Sequence, residues 1–291
     1  MRKKQNPGIM GDLMAEALCR ATDEVTDRIQ SIYADPVRMA TEGFKRLGDT
    51  ELYIHGGGFS GLWAIGQIQI FQSLEAAGAL HIHTLHGYSI GAIFAVFYAC
   101  KFSTQESLAA YSMLRARSDA GATLYHACRE VLQHVLPDDA HVQCTGRVRI
   151  GMTQKFPMLW YREESTFSTR AALIDAVENS AAIPYVTSSL SDTLYNYVDG
   201  LFGYAVWGWS PPRIGRTGIE LMPPCLGYTY VFSPTDPYIY GLILNGLTDI
   251  IYFLQSKPTK HIRPLSFLPW HVGNVTSWVD RLHYSLLQRV T

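Results

Sequence analysis

The chain has 291 residues, enough for one large domain or two small ones with a substantial core. Its net charge is −1 and it carries no basic stripe, which argues against a nucleic-acid partner. Hydrophobic residues make up 47% and charged residues only 17%, a balance that points to a deep core or to contact with lipid. The five cysteines, Cys19, Cys100, Cys128, Cys144 and Cys225, are scattered without a C-x-x-C pair, so neither a disulfide framework nor a zinc site is expected. The basic N-terminus lacks an apolar h-region before Asp12 and Glu16, so no signal peptide is expected. An intracellular protein, cytoplasmic or peripheral on membranes, follows as the expectation.

In chain order, Leu13, Ala17, Ala21, Val25 and Ile29 recur every four residues, with Met14, Leu18 and Ile32 beside them. This spacing predicts an amphipathic helix to about Tyr33, stopped by Asp35-Pro36. ELYIH then predicts a short buried strand, followed by a glycine-rich turn and a helix over LWAIGQIQIFQSLEAAG closed by Gly78. IHTLH predicts a second strand, running into GYSIG and the apolar run AIFAVFYAC. RVRIGMT predicts a third strand, TRAALIDAVENSAAIP a helix stopped at Pro184, and YNYVDG a strand ending in a turn. This alternation predicts a mostly parallel sheet covered on both faces. Further on, WGWSPPRIGRTG reads as loop and YTYVF as a strand. PYIYGLILNGLTDIIYFLQS reads as a packed helix rather than a span, because Asn245, Thr248, Asp249 and Gln255 form a polar stripe. An interfacial, lipid-facing helix is the alternative there.

The stretch HGGGFSG, His55 to Gly61, admits three readings. As a dinucleotide fingerprint it has the strand before and the helix after, but no Asp or Glu occurs between Glu75 and Glu106 to hold a ribose. As the loop of an α/β-hydrolase it pairs with the G-x-S-x-G at Gly87-Tyr88-Ser89-Ile90-Gly91, with His261, His271 or His283 to complete a triad. That fold needs two βα crossovers between loop and nucleophile, and only one helix and one strand fit between Gly61 and Gly87. The third reading joins both motifs into one site at the carboxyl edge of two neighbouring parallel strands. Main-chain N–H groups of the glycine loop then face a substrate carbonyl. Ser89 stands exposed on a strained turn at a helix N-terminus, where side chains at Gly87 and Gly91 would collide.

Four motifs carry a family resemblance: GGGFSG, GYSIG, ENSAAIPY and the dipeptide Asp199-Gly200. Over about Leu52 to Gly203 the chain resembles the patatin-like phospholipases. Its GFSG followed by LWAIG, and its GRVRIGMT with STRAALIDAVENSAAIP, are most similar to the adiponutrin and adipose triglyceride lipase branch. The resemblance implies a three-layer α/β/α sandwich with a mostly parallel central sheet. It implies a Ser–Asp dyad, without a catalytic His or cofactor, acting on acyl esters of lipids. Ser89 is then the nucleophile and Asp199 the base; Gly56, Gly57 and Gly58 form the oxyanion loop, and Gly61, Gly87, Gly91 and Gly200 support the motifs. Implied partners are a lipid ester substrate and a membrane or lipid-droplet surface. Two departures stand out: Ser60 where many members carry Arg or Lys, and Leu201 where Gly or Ala is usual, which would narrow the acyl pocket or tilt the carboxylate. A lipid transacylase with the same dyad and a silent lipid-binding protein are the alternatives.

Residues 1–48 are expected to form an N-terminal helical segment, 49–235 the catalytic domain and 236–291 a C-terminal helical extension. His55 is expected to position the turn. His81, His83 and His86, without a nearby acid in sequence, are expected to be structural, and no metal site is expected. Trp270, His271 and Trp278 are expected to pack in the core.

Overall fold

The structure, a computed structural model, describes residues 7–157, 160–189, 197–209, 217–224 and 236–265. The YTYVF segment, Cys225, Trp270, His271, Trp278 and His283 lie outside the described residues. Helix α1 (Pro7–Ala34) stops where Asp35 caps the short α2 (Pro36–Thr41). The buried stripe of α1 is only partly the expected one. Leu18, Ile29 and Ile32 are buried as expected, but Leu13 and Ala17 are exposed and Thr22, Thr26 and Tyr33 are buried in addition. Thr22 and Thr26 can be buried because each hydroxyl donates to the carbonyl four residues back, at 2.9 and 2.7 Å.

Strand β1 (Gly48–Ile54) leads through the glycine turn into a 3-10 helix (Gly58–Ala64) and α3 (Ile65–Ala76). Strand β2 (Leu80–Tyr88) follows and runs through Ser89 into α4 (Ile90–Ala99). Three helices for which the sequence analysis set no expectation come next: α5 (Thr104–Asp119), α6 (Leu124–Val135) and α7 (Ala140–Cys144). Beyond them lie β3 (Val148–Gln154), β4 (Trp160–Glu164), α8 (Arg170–Ser180), β5 (Tyr197–Asp199) and α9 (Gly200–Trp207). The described chain ends with β6 (Thr217–Leu221), α10 (Asp236–Leu254) and β7 (Ile262–Pro264). The fold is a three-layer α/β/α arrangement.

The sheet has seven strands in the order β4-β3-β2-β1-β6-β7, with β5 also on β3. Strands β1, β2, β3 and β6 are mutually parallel, and β4, β5 and β7 are antiparallel to their neighbours. Two crossovers step one way, from β1 to β2 to β3, and β6 then returns to the far side of β1. The order reverses at β1, and the carboxyl edge beside such a reversal is where α/β sheets gather their ligands.

Strand alternation separates two unlike faces. One carries Leu52, Ile54, Leu85, Val148, Ile150, Met152, Ile219 and Leu221, all buried in the core under α3, α4 and α8. The other carries Glu51, Tyr53, His86, Tyr88 and Glu220, equally buried but polar, with α9 crossing β3 and β4. Helix α10 packs on the 3-10 helix, α3 and α1, burying Leu242, Ile243, Leu247, Ile250, Phe253 and Leu254. A Cβ at Gly246 would fall 2.0 Å from the Trp63 carbonyl oxygen, and Asp249 accepts from Trp63 Nε1 at 2.9 Å. Asn245 and Thr248 face solvent, as the polar stripe requires of a packed helix. Among the described residues no helix is long and apolar enough to cross a membrane.

Candidate active site

Register brings the two motifs together. Ile54 of β1 pairs with Gly87 of β2, so the glycine loop and Ser89 leave the sheet side by side. Tyr88 is the last β2 residue paired with β3, opposite Gly151. Strand β4 covers one edge of β3 along Ile150–Gln154, so β5 must lie on the other edge, in line with β2. Asp199 pairs with Met152, the next β3 residue after Gly151. The carboxylate therefore arrives where β2 leaves off, beside Ser89, although 110 residues separate the two in sequence (199 − 89).

Ser89 adopts φ 56° and ψ −133°, a conformation that a side chain rarely accepts and that costs about 1–3 kcal/mol. The surroundings hold it there. Its N–H lies 2.9 Å from Ser180 Oγ and 3.1 Å from the Ser180 carbonyl oxygen, and Ser180 Oγ donates to the Gly151 carbonyl at 2.6 Å. The elbow also sits directly on β1, since a Cβ at Gly91 would lie 2.2 Å from the Ile54 carbonyl oxygen and one at Gly87 2.3 Å from that of Gly91. Both glycines are required by close approach, as the sequence suggested. Cβ atoms at Gly61 and Gly200 would likewise collide, with Ile90 and with Tyr88 and the Gly151 carbonyl.

Asp199 is wholly buried and caps α9: its Oδ1 accepts from the Leu201 N–H at 2.8 Å. Oδ2 has no hydrogen-bond partner of normal geometry. Burial lifts the Asp199 pKa to about 6, against the Leu201 N–H and the Ser89 hydroxyl, which both favour the charged form. Leu201 is not among the residues lining the cleft at Ser89, and its N–H is the donor to Asp199 Oδ1.

In the glycine loop, Gly57 (φ 157°) and Gly58 (φ 53°) take backbone conformations that favour glycine. Among the described residues their N–H groups have no hydrogen-bond partner, so both remain available to an incoming oxygen. From Ser89 and Gly58 a cleft of about 580 Å³ runs between α4, α5 and α6. A second hollow shares Phe59, Ile90, Ile93, Leu114 and Cys128 with it and extends to Phe94, Phe97 and Leu132. Apart from Ser89, Ser107, Glu178, Thr187, Tyr111 and Tyr125, the lining is apolar. Each methylene buried there contributes about 0.8 kcal/mol, which suits a hydrocarbon chain.

His55 was expected to position the turn; its partners at this edge, Glu220, Arg263 and Trp209, gave no sequence signal. His55 is buried, with Nδ1 2.9 Å from the Tyr88 hydroxyl and Nε2 2.6 Å from Glu220 Oε1. Burial works against the Glu220 charge, but His55 and Arg263, whose Nε donates to Oε2 at 2.6 Å, outweigh it and hold its pKa at about 2. An ionised Glu220 can only accept, so Nε2 carries a proton. Trp209 Nε1 lies 3.2 Å from both His55 Nε2 and Glu220 Oε1 and therefore donates to the carboxylate. Burial keeps Tyr88 protonated, so its hydroxyl can donate to Nδ1 of a neutral His55 or accept from Nδ1–H of a charged one.

Among the described residues the candidates for other chemistries do not converge on the serine. The His261 ring packs on Trp63, and no described hydrogen bond joins it to Ser89 or Asp199. His86 does have acids nearby, contrary to the sequence expectation. Glu163 and Glu51 reach it from β4 and β1 at 3.0 and 3.2 Å, while His83 lies 3.3 Å from Asp49 and His81 packs on His83. These histidines therefore belong to different clusters, and no metal-binding group of three or more His, Cys, Asp or Glu occurs among the described residues.

No curated protein and no solved structure matches the chain. The family described as patatin-like phospholipase matches residues 52–206, more than half of the chain, from the glycine loop through Ser89 and Asp199 to α9. On that match the chain belongs to the patatin-like phospholipase family, whose members are lipid hydrolases.

Proposed function

We propose that this protein hydrolyses carboxylic esters of lipids, with Ser89 as nucleophile, Asp199 as general base and the Gly57 and Gly58 N–H groups as oxyanion donors. Gly56 completes the loop. The observation that carries this reading is the buried Asp199 carboxylate, with one oxygen fixed by the Leu201 N–H and the Ser89 hydroxyl acting on the group from the strained turn.

In this reading the acyl chain lies in the apolar cleft and its ester carbonyl meets the glycine loop. Ser89 Oγ attacks the carbonyl carbon as Asp199 takes the hydroxyl proton, and the oxyanion is held by the two N–H groups, each contributing about 10²–10³ in rate. The protonated Asp199 gives its proton to the leaving alcohol. Water, deprotonated by the same carboxylate, then cleaves the acyl-enzyme and restores Ser89. A base with pKa about 6 is ionised at neutral pH yet close enough to it to exchange protons readily.

Within the family, GFSG followed by LWAIG, and GRVRIGMT with STRAALIDAVENSAAIP, favour the adiponutrin and adipose triglyceride lipase branch, and the lipid substrate is proposed to be met at a membrane or droplet surface. Labelling of the full chain with a fluorophosphonate, with Ser89→Ala alongside and the adduct mapped by mass spectrometry, tests the reading. An adduct on Ser89 that is lost in the variant is expected; absence of labelling in the presence of liposomes would overturn it.

A further inference from the structure

The oxyanion loop is built from the residues least able to hold a shape. Gly57 and Gly58 lack side chains, and their φ values leave them free to relax. A donor pair that drifts loses its advantage, because preorganisation is what separates an oxyanion hole from two solvated amides. Something outside the loop has to hold it.

The strongest candidate is the Tyr88 ring. It lies under Gly56, where a Cβ would fall 2.7 Å from Tyr88 Cε2 and 2.9 Å from Ser89 Cβ. The Gly56 N–H also acts on the Tyr88 hydroxyl. One ring therefore touches the start of the loop and is bonded through the main chain to the nucleophile. Its hydroxyl is tied to His55, His55 to Glu220 on β6, and Glu220 to Arg263 on β7. The Tyr204 ring stacks on Tyr88 at 5.2 Å, and Trp209 packs at 5.2 Å from both Tyr88 and His55. These contacts span four strands, and Tyr88, His55 and Glu220 are all buried.

We infer that Tyr88, anchored through its hydroxyl by the His55–Glu220 pair, is a positioning residue that sets the glycine loop against Ser89 in the geometry of the transition state. This rests on the reading of Ser89 and the loop as the hydrolytic site. Tyr88 touches no reacting atom; it acts through Gly56 and through the elbow. A fault in its anchor should therefore appear in turnover and not in substrate binding, since the acyl cleft does not include it.

The test is hydrolysis of p-nitrophenyl butyrate by the full chain, with kcat and KM resolved, for wild type, Tyr88→Phe and Tyr53→Phe. Tyr53 is the control: it is a buried tyrosine on the same sheet face, with its hydroxyl on Glu51 at 3.0 Å and away from the loop. Tyr88→Phe is expected to lower kcat at least about tenfold with KM within about twofold, whereas Tyr53→Phe keeps both. A Tyr88→Phe enzyme with wild-type kcat, or equal losses in both variants, would overturn the inference. Should Tyr88→Phe fail to fold, Glu220→Gln and Glu220→Ala decide. The amide oxygen can still accept from His55 Nε2, so Glu220→Gln should retain several-fold more kcat than Glu220→Ala, and equal values would overturn the inference. A wild type that neither turns over the ester nor takes the fluorophosphonate removes the hydrolase reading itself and this inference with it.

Discussion

The two faces of the central sheet are equally dry and differ in nearly everything else. Leu52 and Tyr53 are neighbours on β1, both wholly buried, and point to opposite sides. Leu52 joins a continuous apolar core, where burial alone is favourable and orientation matters little. Tyr53 joins a face in which each polar atom needs a named partner: Tyr53 with Glu51, His86 with Glu163 and Glu51, and His55 with Glu220. Burial opposes a charge on His86, but the two carboxylates outweigh it and raise its pKa. The apolar face supplies stability, and the polar face supplies direction at the edge where β1 and β2 end. The site belongs to both, with a hydrocarbon cleft on the first side and the His55–Tyr88 anchor on the second.

The sharpest way to break this division is at Asp199, where the two meet. Asp199→Asn is expected to reduce turnover by about 10³-fold or more, measured with a p-nitrophenyl ester, because the base is lost while the Leu201 N–H can still bond the amide oxygen. The same variant should be more stable than wild type near neutral pH. The folded pKa of about 6 lies above the ordinary 3.8, so Asp199 costs nothing below 3.8, and wild type loses stability as the pH rises through 6. The upper limit is about 3 kcal/mol, read from denaturant curves at pH 4 and pH 7.5. An equal gain at both pH values would show that burial of the charge is not the cause. Turnover of the wild type should rise with an apparent pKa near 6.

Smaller effects separate the faces. Leu52→Ala should destabilise by about 2–5 kcal/mol, visible as a lowered Tm, with kcat unchanged in the protein that remains folded. Ile93 lines both the cleft and the deeper cavity. Ile93→Trp should therefore spare butyrate esters and lower hydrolysis of long-chain esters by about tenfold or more, since each excluded methylene forfeits about 0.8 kcal/mol. A uniform loss across chain lengths would show that the acyl group lies elsewhere. Tyr53→Phe should cost least, about 1 kcal/mol in stability, because it removes the hydroxyl bonded to Glu51 and leaves Glu51 bonded to His86.

Much of the site was legible because its determinants are local. Gly87 and Gly91 flank Ser89 within five residues, and the collisions that a Cβ would cause there follow from one tight turn. The glycine loop was legible for the same reason, as was the count of strands between loop and serine. The three helices between Cys100 and Val148 were not expected. Helix α5 carries little hydrophobic periodicity and owes its start to the Ser103–Glu106 capping box and its place to packing on α3 and α6, whereas α6 is strongly amphipathic and its pattern was legible. The face of α1 was read only in part because the expectation counted apolar residues. A threonine whose hydroxyl bonds its own helix can be buried like an alanine.

By itself, then, the sequence determined the alternation of strands and helices, the sharp turn at Ser89 and the open glycine loop, because each depends on residues within one turn or one strand of each other. Only the tertiary structure decided that Asp199 takes up where β2 ends, that its burial lifts its pKa, and that His55 is held by Glu220 from 165 residues away. Pairing register and burial are properties of the assembled sheet, and no short stretch of the chain contains them.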